Sequence, residues 1–427
     1  MASSPARGLS LFRHRDFSLY QLVRLLAVLA VQVESVAIGW QVYALTNSTL
    51  HLGYVGLSQF LPFVAFSMVG GHAADRFDRR RVLMVCHLGF FFCSLSFLGL
   101  TLLGVQDVRL VYAVLVLFGT ARAFSAPVGS AMTPHLVPPE DLPRAVAINS
   151  TTWQVATIAG PALGGVLYAV GGPHLAYASS ASLVALTLVL LGAMHVRTGA
   201  MSREGLSVRT LLAGLRFVRS HRLLLGSITL DLFAVLLGGA VALLPAVARD
   251  VLHTGPWGLG LLRSAPAAGA ALVAVWLTWY PLTRHAGRKM FLAVGLFGLA
   301  TVVFGLSRSI PLSVLALAAL GAADMVSVVV RHTLELTSTP DAMRGRVGAV
   351  NMMCVGASNE LGEFESGVLA SAVGLVPAVV LGGVGTLLVV AVWAWAFPEL
   401  RRVDSLTASQ PVRSDATGEE EARAAAG

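Results

Sequence analysis

Glu34, Arg122, Asp231, Arg263, Asp324, Glu360, Glu363 and Glu365 all stand inside long apolar stretches of this chain. A charge in hydrocarbon costs about 2.5–3.5 kcal/mol on insertion scales, so the six acids facing lipid would together cost roughly 15–20 kcal/mol. They must face a polar interior or one another. Glu360 and Glu363 are three positions apart and therefore neighbours on one helix face, whereas Glu365 points well away from both. Two carboxylates crowded in a low dielectric cannot both ionise easily, which suits a proton carrier or a substrate-binding site. The same pair would also serve structurally, by meeting Arg122 or capping a helix break near Gly362. Glu34 and Asp231 lie at comparable depths in the first apolar stretch of each half of the chain. For each, binding or coupling competes with a structural hydrogen bond. For Arg122 the alternatives are an anionic substrate group and neutralisation of Glu34. Asp324 lies nearer one end of its stretch and reads as structural. Trp40, Phe124, Trp153 and Phe233 could stack on an aromatic substrate, though aromatics at such positions usually pack.

The elements that must position these groups are membrane spans. Hydrophobic residues make up 56% of the 427 and charged residues 12%, where a soluble domain carries about 25% charged; the mean hydropathy is +0.76. Apolar stretches long enough to cross a bilayer as helices fall near residues 17–45, 52–72, 82–104, 110–131, 144–170, 175–196, 223–247, 256–281, 289–307, 310–331, 346–371 and 374–397. Twelve spans put both ends on one side. Arginine concentrates in the N-terminal arm (Arg7, Arg13, Arg15), in the turn holding Arg76 and Arg79 to Arg81, in Arg197 to Arg222, and in the turns with Arg284, Arg288, Lys289, Arg331, Arg344 and Arg346. The alternate turns are nearly bare, which places both termini in the cytoplasm by the positive-inside rule. The formal charge of +8 is thus topological, and no basic nucleic-acid-binding module appears.

Other chemistries lack their residues. Cys86, Cys93 and Cys354 lie in apolar stretches without metal-ligand spacing, so no metal and no cofactor are expected. No phosphate-binding loop, zinc-protease motif or nucleophile elbow occurs, which argues against an enzyme or an ATP-driven pump and leaves an ion gradient or passive movement. The N-terminus is a polar, arginine-bearing arm without a cleavable signal pattern, so the first span is retained.

Residues 1–16 form that arm, 17–196 and 223–397 two six-span halves, 197–222 a polar linker, and 398–427 a polar tail read as disordered. In the linker, Leu211, Leu212, Leu215 and Val218 alternate with Arg209, Arg216 and Arg219 at helical spacing, as in an amphipathic helix on the membrane surface. The halves repeat weakly: placing Asn149 on Asn351 aligns Arg144 with Arg346, Gly160 with Gly362 and Gly165 with Gly367. In Gly160-Pro161-Ala162-Leu163-Gly164-Gly165 the proline removes a backbone hydrogen bond and is expected to kink the helix, while the glycines admit a close neighbour.

The turn Gly70-Gly71-His72-Ala73-Ala74-Asp75-Arg76-Phe77-Asp78-Arg79-Arg80-Arg81, the Gly160–Gly165 segment and Thr339-Pro340-Asp341-Ala342-Met343-Arg344-Gly345-Arg346 resemble motifs of the major facilitator superfamily. They look like its bacterial enterobactin-exporter and drug-efflux branch, over about Phe12 to Pro398. The resemblance implies an all-α membrane protein of 12 transmembrane helices in two pseudo-symmetric six-helix bundles. Glu34 and Asp231 would line the central cavity between the bundles. The implied activity is proton-driven export of an amphipathic small molecule by alternating access, from a monomer in the bacterial cytoplasmic membrane. Gly71, Asp75, Arg76, Arg79 and Arg80 would form a cytoplasmic gate, with Asp75 and Arg79 as latch near Arg344 and Arg346. Gly160, Pro161, Gly164 and Gly165 would pack on the eighth span at Ala265, Pro266, Ala267, Ala268 and Gly269. The family's usual glycine before the basic pair, which permits a tight turn, is Asp78 here. A nutrient importer and a non-transporting scaffold or sensor are the alternatives.

Overall fold

The computed structural model describes residues 9–196, 208–282 and 284–404. Within them the chain is helical: α1 (Arg15–Thr46), α2 (Thr49–Arg76), α3 (Arg79–Leu102), α4 (Val108–Met132), α5 (Leu142–Ala193), α6 (Val208–Ser220), α7 (Arg222–Gly238), α8 (Leu244–Ala246), α9 (Pro256–Trp279), α10 (Ala286–Leu306), α11 (Ile310–Ser338), α12 (Asp341–Val373), α13 (Leu375–Ala396) and α14 (Pro398–Arg402). Ten helical segments are long and apolar enough to cross a membrane, against twelve expected spans. α5 accounts for one more, because its backbone leaves helical geometry at Gly171 and at Gly172, where φ is 63°, a conformation that glycine adopts without penalty. α12 is the other: its 33 residues suffice, but its charges disqualify it by composition alone. The seventh span is irregular, since α7 ends at Gly238 and the path continues through a 3-10 turn (Ala240–Leu243), α8 and a π-helical turn (Val247–Val251).

Helices α1 to α5 form one half and α7 to α13 the other. Each half has its own apolar core, Val33, Ala37, Phe97, Leu115 and Tyr177 in the first, Leu259, Leu262, Phe304 and Leu317 in the second. The weak sequence repeat has a spatial counterpart. Asn149 donates to Thr133 Oγ1 at 2.7 Å and Asn351 donates to Glu335 Oε2 at 3.0 Å, each across 16 residues. Equivalent asparagines therefore tie equivalent helices in the two halves.

Three expectations need correction. The turn read as Gly70 to Arg81 is much shorter, because α2 stays helical through Arg76 and only Phe77 and Asp78 separate it from α3. Gly71 is accordingly mid-helix. Asp78 takes φ −60° and its side chain accepts the Arg81 N–H at 2.9 Å, so the substitution for glycine supplies an N-cap and needs no left-handed backbone. The tail does not part from the fold at Pro398: α14 follows, and the carbonyls of Val403 and Asp404 accept the amides of Gly287 and Ala286 at 3.0 and 3.2 Å. Residues 405–427 lie outside the described residues, as do 197–207. In the linker, α6 docks on α12, where Gly214 meets the Arg346 carbonyl and Val350. Val218 is buried while Leu212 and Leu215 stay 56% and 41% exposed, so only one side of this amphipathic helix is covered.

Candidate functional site

The end carrying the arginine-rich turns is the basic end; the other is the bare end. At the bare end the halves are locked together. A Cβ on Gly165 (α5) would sit 2.9 Å from the Cα of Gly260 (α9), and a Cβ on Gly367 (α12) 2.9 Å from the Cα of Gly53 (α2). Gly165 and Gly367 are the pair that the repeat aligns, and side chains larger than hydrogen would hold these backbones apart. Thr49 Oγ1 donates to the Gly367 carbonyl at 3.3 Å. Tyr43 of α1, buried, donates its hydroxyl to the Asp250 carboxylate beyond α8. Arg249 stands 5.7 Å from the Tyr43 ring centre and donates to its carbonyl at 3.5 Å.

The Gly160–Gly165 segment serves two neighbours. Gly160 and Gly164 close on Gln32 and Val33 of α1, while Gly165 faces Pro256 and Gly260. The eighth span is the expected partner, but through Pro256 and Gly260; Gly269 instead packs on Ala318 of α11. Ala267 contributes its carbonyl, which accepts from Gln154 at 2.7 Å. Pro161 does not break the helix: α5 keeps helical dihedrals there and leaves them at Gly171 and Gly172. A proline costs one hydrogen bond, whereas Gly172 reverses the sign of φ.

Toward the basic end the same surfaces separate. Met352, Gly356, Glu360, Glu363 and Gly367 share one face of α12; Gly367 is packed, yet Met352 is 77% exposed. On the other half, α1 and α5 flank an open groove of about 560 Å³ lined by Ser18, Gln21, Leu25, Thr151, Thr152 and Val155. The halves thus form a cleft closed at the bare end and open at the basic end.

Charge gathers between the two. Arg122 Nη1 donates to Glu360 Oε1 at 2.9 Å, an ion pair joining α4 to α12 across the halves; the arginine side chain is 45% exposed and the glutamate 15%. The Arg122 guanidinium also stands 5.3 Å from the Phe63 ring centre. One turn along, Glu363 lies against α2, where a Cβ on Gly56 would be 2.9 Å from Oε2. Arg263 of α9, half-buried, is within electrostatic reach of both glutamates. Arg122 thus meets Glu360, as in the structural reading of that glutamate, and does not neutralise Glu34.

Glu34 and Asp231 do not line the cleft as expected. Glu34 is 3% exposed inside the first half, accepting hydroxyls from Ser94 and from Ser180, the latter at 2.7 Å. Asp231 is sealed in the second half as the partner of Arg331 on α11. Depth along a helix is legible from sequence, but the direction in which a side chain points is set by its neighbours. Asp324 and Ser327 share with Asp231 a void of about 10 Å³. Phe233 packs on Trp393 and Trp40 on Tyr168, with ring centres 5.2 and 6.5 Å apart; Trp153 is 49% exposed.

Arg79, Arg80 and Arg76 were expected at a gate. Arg79 is buried and bonds His135 beyond α4. Arg80 donates to the Leu191 and Gly192 carbonyls at 2.7 and 2.6 Å, satisfying acceptors that a helix end leaves open. Both bonds stay within the first half and mount the α2–α3 turn on it. Arg76 ends α2 and is exposed; the side chain of Asp75 lies outside the described residues. Sequence reasoning missed Arg24, Tyr43, Asp250 and Glu335, and it placed Arg331 in a turn. The signals were present: Arg24 interrupts the first span, and Arg331 stands seven residues after Asp324, on one face of α11.

A family model described as transmembrane secretion effector matches residues 6–420. An enterobactin exporter, EntS, of Citrobacter koseri is 30% identical over 403 residues, covering 92% of this chain and 95% of that protein; one from Escherichia coli is 29% identical with the same coverage. Among solved structures, the nucleoside transporter NupG superposes with a TM-score of 0.71 at 13% identity, covering 90% of this chain and 99% of that one. A bacterial homologue of the lysosomal transporter Spinster, in an inward-facing occupied conformation, gives 0.70 at 15% identity, covering 94% and 100%. With the repeat, the two half-cores and the cleft between them, these matches show that the chain is a transporter, not an enzyme, and belongs to the transmembrane secretion effector family of the major facilitator superfamily.

Proposed function

We propose that this protein exports an amphipathic small molecule, a siderophore or drug-like compound, across the bacterial inner membrane by alternating access, driven by protons moving inward. The observation that supports this most is the asymmetric meeting of the halves, locked at one end and cleft at the other with Arg122–Glu360 between. Rocking the halves would open the first end and close the second around whatever is bound between them. By the excess of arginine the basic end is cytoplasmic, so the cleft is open to the side from which an exporter loads. The relatives named for enterobactin export make that molecule the first cargo to test. Walls that mix leucine and valine with glutamine and threonine suit an amphipathic ligand.

Residues 17–196 and 223–397 act as the rocking bundles of a monomer, joined by 197–222. Glu360 and Glu363 are the proton carriers in this reading: a proton on Glu360 removes its attraction for Arg122 and loosens a contact between the halves. Gly71, Asp75, Arg76, Arg79 and Arg80 form the closing element of the cytoplasmic end in the opposite state, rigidly mounted through Arg79 and Arg80. Uptake of enterobactin into everted membrane vesicles with an acidified lumen tests the whole reading. The expected result is gradient-dependent uptake that Glu360→Gln and Glu363→Gln each uncouple. Uptake indifferent to the gradient in the parent protein would exclude proton antiport, and movement only out of the vesicles would favour an importer.

A further inference from the structure

Two arginines of the first half, Arg24 on α1 and Arg122 on α4, have one carboxylate between them. The register of α1 against α4 is set by the Tyr20 hydroxyl, which donates to the Gly129 carbonyl at 2.6 Å. α1 runs away from the basic end and α4 runs toward it. Moving from this bond toward the bare end, Arg24 is one turn on, on the Tyr20 face of α1. Arg122 is two turns on, and its seven-residue spacing from Gly129 puts it on the Gly129 face of α4. The two arginines therefore sit on facing surfaces, about 5 Å apart in depth at 1.5 Å of rise per residue. α1 packs broadly on α5 but scarcely meets α4 beyond the buried Tyr20, and Arg122 is exposed on its face of α4, so a bound group could reach the space on the bare side of Tyr20.

The charges there do not balance. Arg24, half-buried, has its guanidinium 6.0 Å from the Tyr20 ring centre. Its Nε is buried without a hydrogen-bond partner, and no carboxylate pairs with it among the described residues. Arg122 pairs with Glu360 yet leaves 45% of its side chain exposed. The neighbouring cavity wall, Gln21, Thr151 and Thr152, carries no acid. Of the acids inside the spans, Glu360 is paired with Arg122 and Asp231 with Arg331, Glu34 accepts from two serines within the first half, Asp324 faces the void beside Asp231, Glu363 packs at Gly56, and Glu365 lies off the Glu360–Glu363 face of α12.

We propose that Arg24 and Arg122 form an anion subsite between α1 and α4, and that the transported molecule is an amphipathic organic anion, carrying a carboxylate or an ionised phenol, and not an organic cation. The bound group would supply the charge that Arg24 lacks and share Arg122 with Glu360. Calling the ligand cargo rests on the export reading; the subsite itself does not. Equilibrium binding to the detergent-solubilised full-length protein tests it, with radiolabelled salicylate as the anion and tetraphenylphosphonium as the cation. Salicylate should bind saturably and tetraphenylphosphonium should not. Arg24→Gln and Arg122→Gln should each weaken salicylate by about tenfold or more, the loss expected for a charge-assisted hydrogen bond. Arg24→Lys and Arg122→Lys should retain most of the affinity, and unchanged melting temperatures would show that the variants fold. Tetraphenylphosphonium bound as well as salicylate, salicylate affinity indifferent to Arg24→Gln in folded protein, or binding of neither probe would overturn the proposal. Salicylate binding that depends on both arginines in a protein that moves nothing outward would sustain the subsite and remove only the export reading.

Discussion

Replacing Tyr43 by Phe removes one hydroxyl and leaves the buried ring in place. That hydroxyl is donated to the Asp250 carboxylate of the opposite half, and Arg249 braces the same ring and carbonyl. In the proposed rocking of the halves, the contact would be lost when the bare end opens. A hydrogen bond to a charged group contributes about 1.5–3 kcal/mol net, and about 1.4 kcal/mol is a tenfold change in an equilibrium. Tyr43→Phe should therefore shift the balance between the two openings by about 10-fold to about 150-fold toward the state open at the bare end. Pulsed electron-electron double resonance between spin labels at Arg109 and Arg308 reads that shift, because both are exposed at the bare end of opposite halves, Arg109 at the start of α4 and Arg308 between α10 and α11. Cys86, Cys93 and Cys354 must first be replaced by serine or alanine. The variant should gain a longer-distance population, and Asp250→Asn, which keeps a weaker neutral acceptor, should gain less. Distance distributions identical to the parent in both variants would refute the idea that this contact holds the end shut.

Gly165→Val should move the same labels in the same direction by another route, since its side chain would press on the Pro256 carbonyl and the Gly260 Cα; overpacking of this kind costs about 1–3 kcal/mol, and an unchanged distribution would mean that the helices part without resistance. Asp231→Ala leaves Arg331 buried without its partner, a loss of about 3–5 kcal/mol, so its melting temperature should fall well below that of the parent, while the paired change Asp231→Asn with Arg331→Met should recover much of it. Glu34→Gln keeps an oxygen that accepts from Ser94 and Ser180, so near-parental transport is expected; complete loss with an intact fold would give Glu34 a part in coupling.

Much of the architecture was legible along the chain because apolar length and charge asymmetry are local quantities. The span count followed from them, and the repeat through Asn149 and Asn351 from the identity of a few aligned residues. So did the glycines of α5, whose lack of a side chain announces a close neighbour, and the glutamates of α12, whose three-residue spacing announces a shared face. Where reading failed, two properties were at issue. Azimuth misled at Glu34 and Asp231, because any helix face that is not lipid-facing has two destinations, the cleft or the core of its own half. Helix length misled at Gly71 and Arg331, since α2 and α11 run past the points where hydropathy falls.

The sequence alone determined that this is a twelve-span membrane protein built from two related halves, since burying a polar backbone and sparse charges in hydrocarbon permits few other solutions. Only the tertiary structure decided which charges meet. Pairing of Arg122 with Glu360, closure of Tyr43 on Asp250, and the unpartnered Nε of Arg24 each depend on the register between helices far apart in the chain. That register is set by packing of glycines and side chains at the helix contacts, which no local pattern encodes.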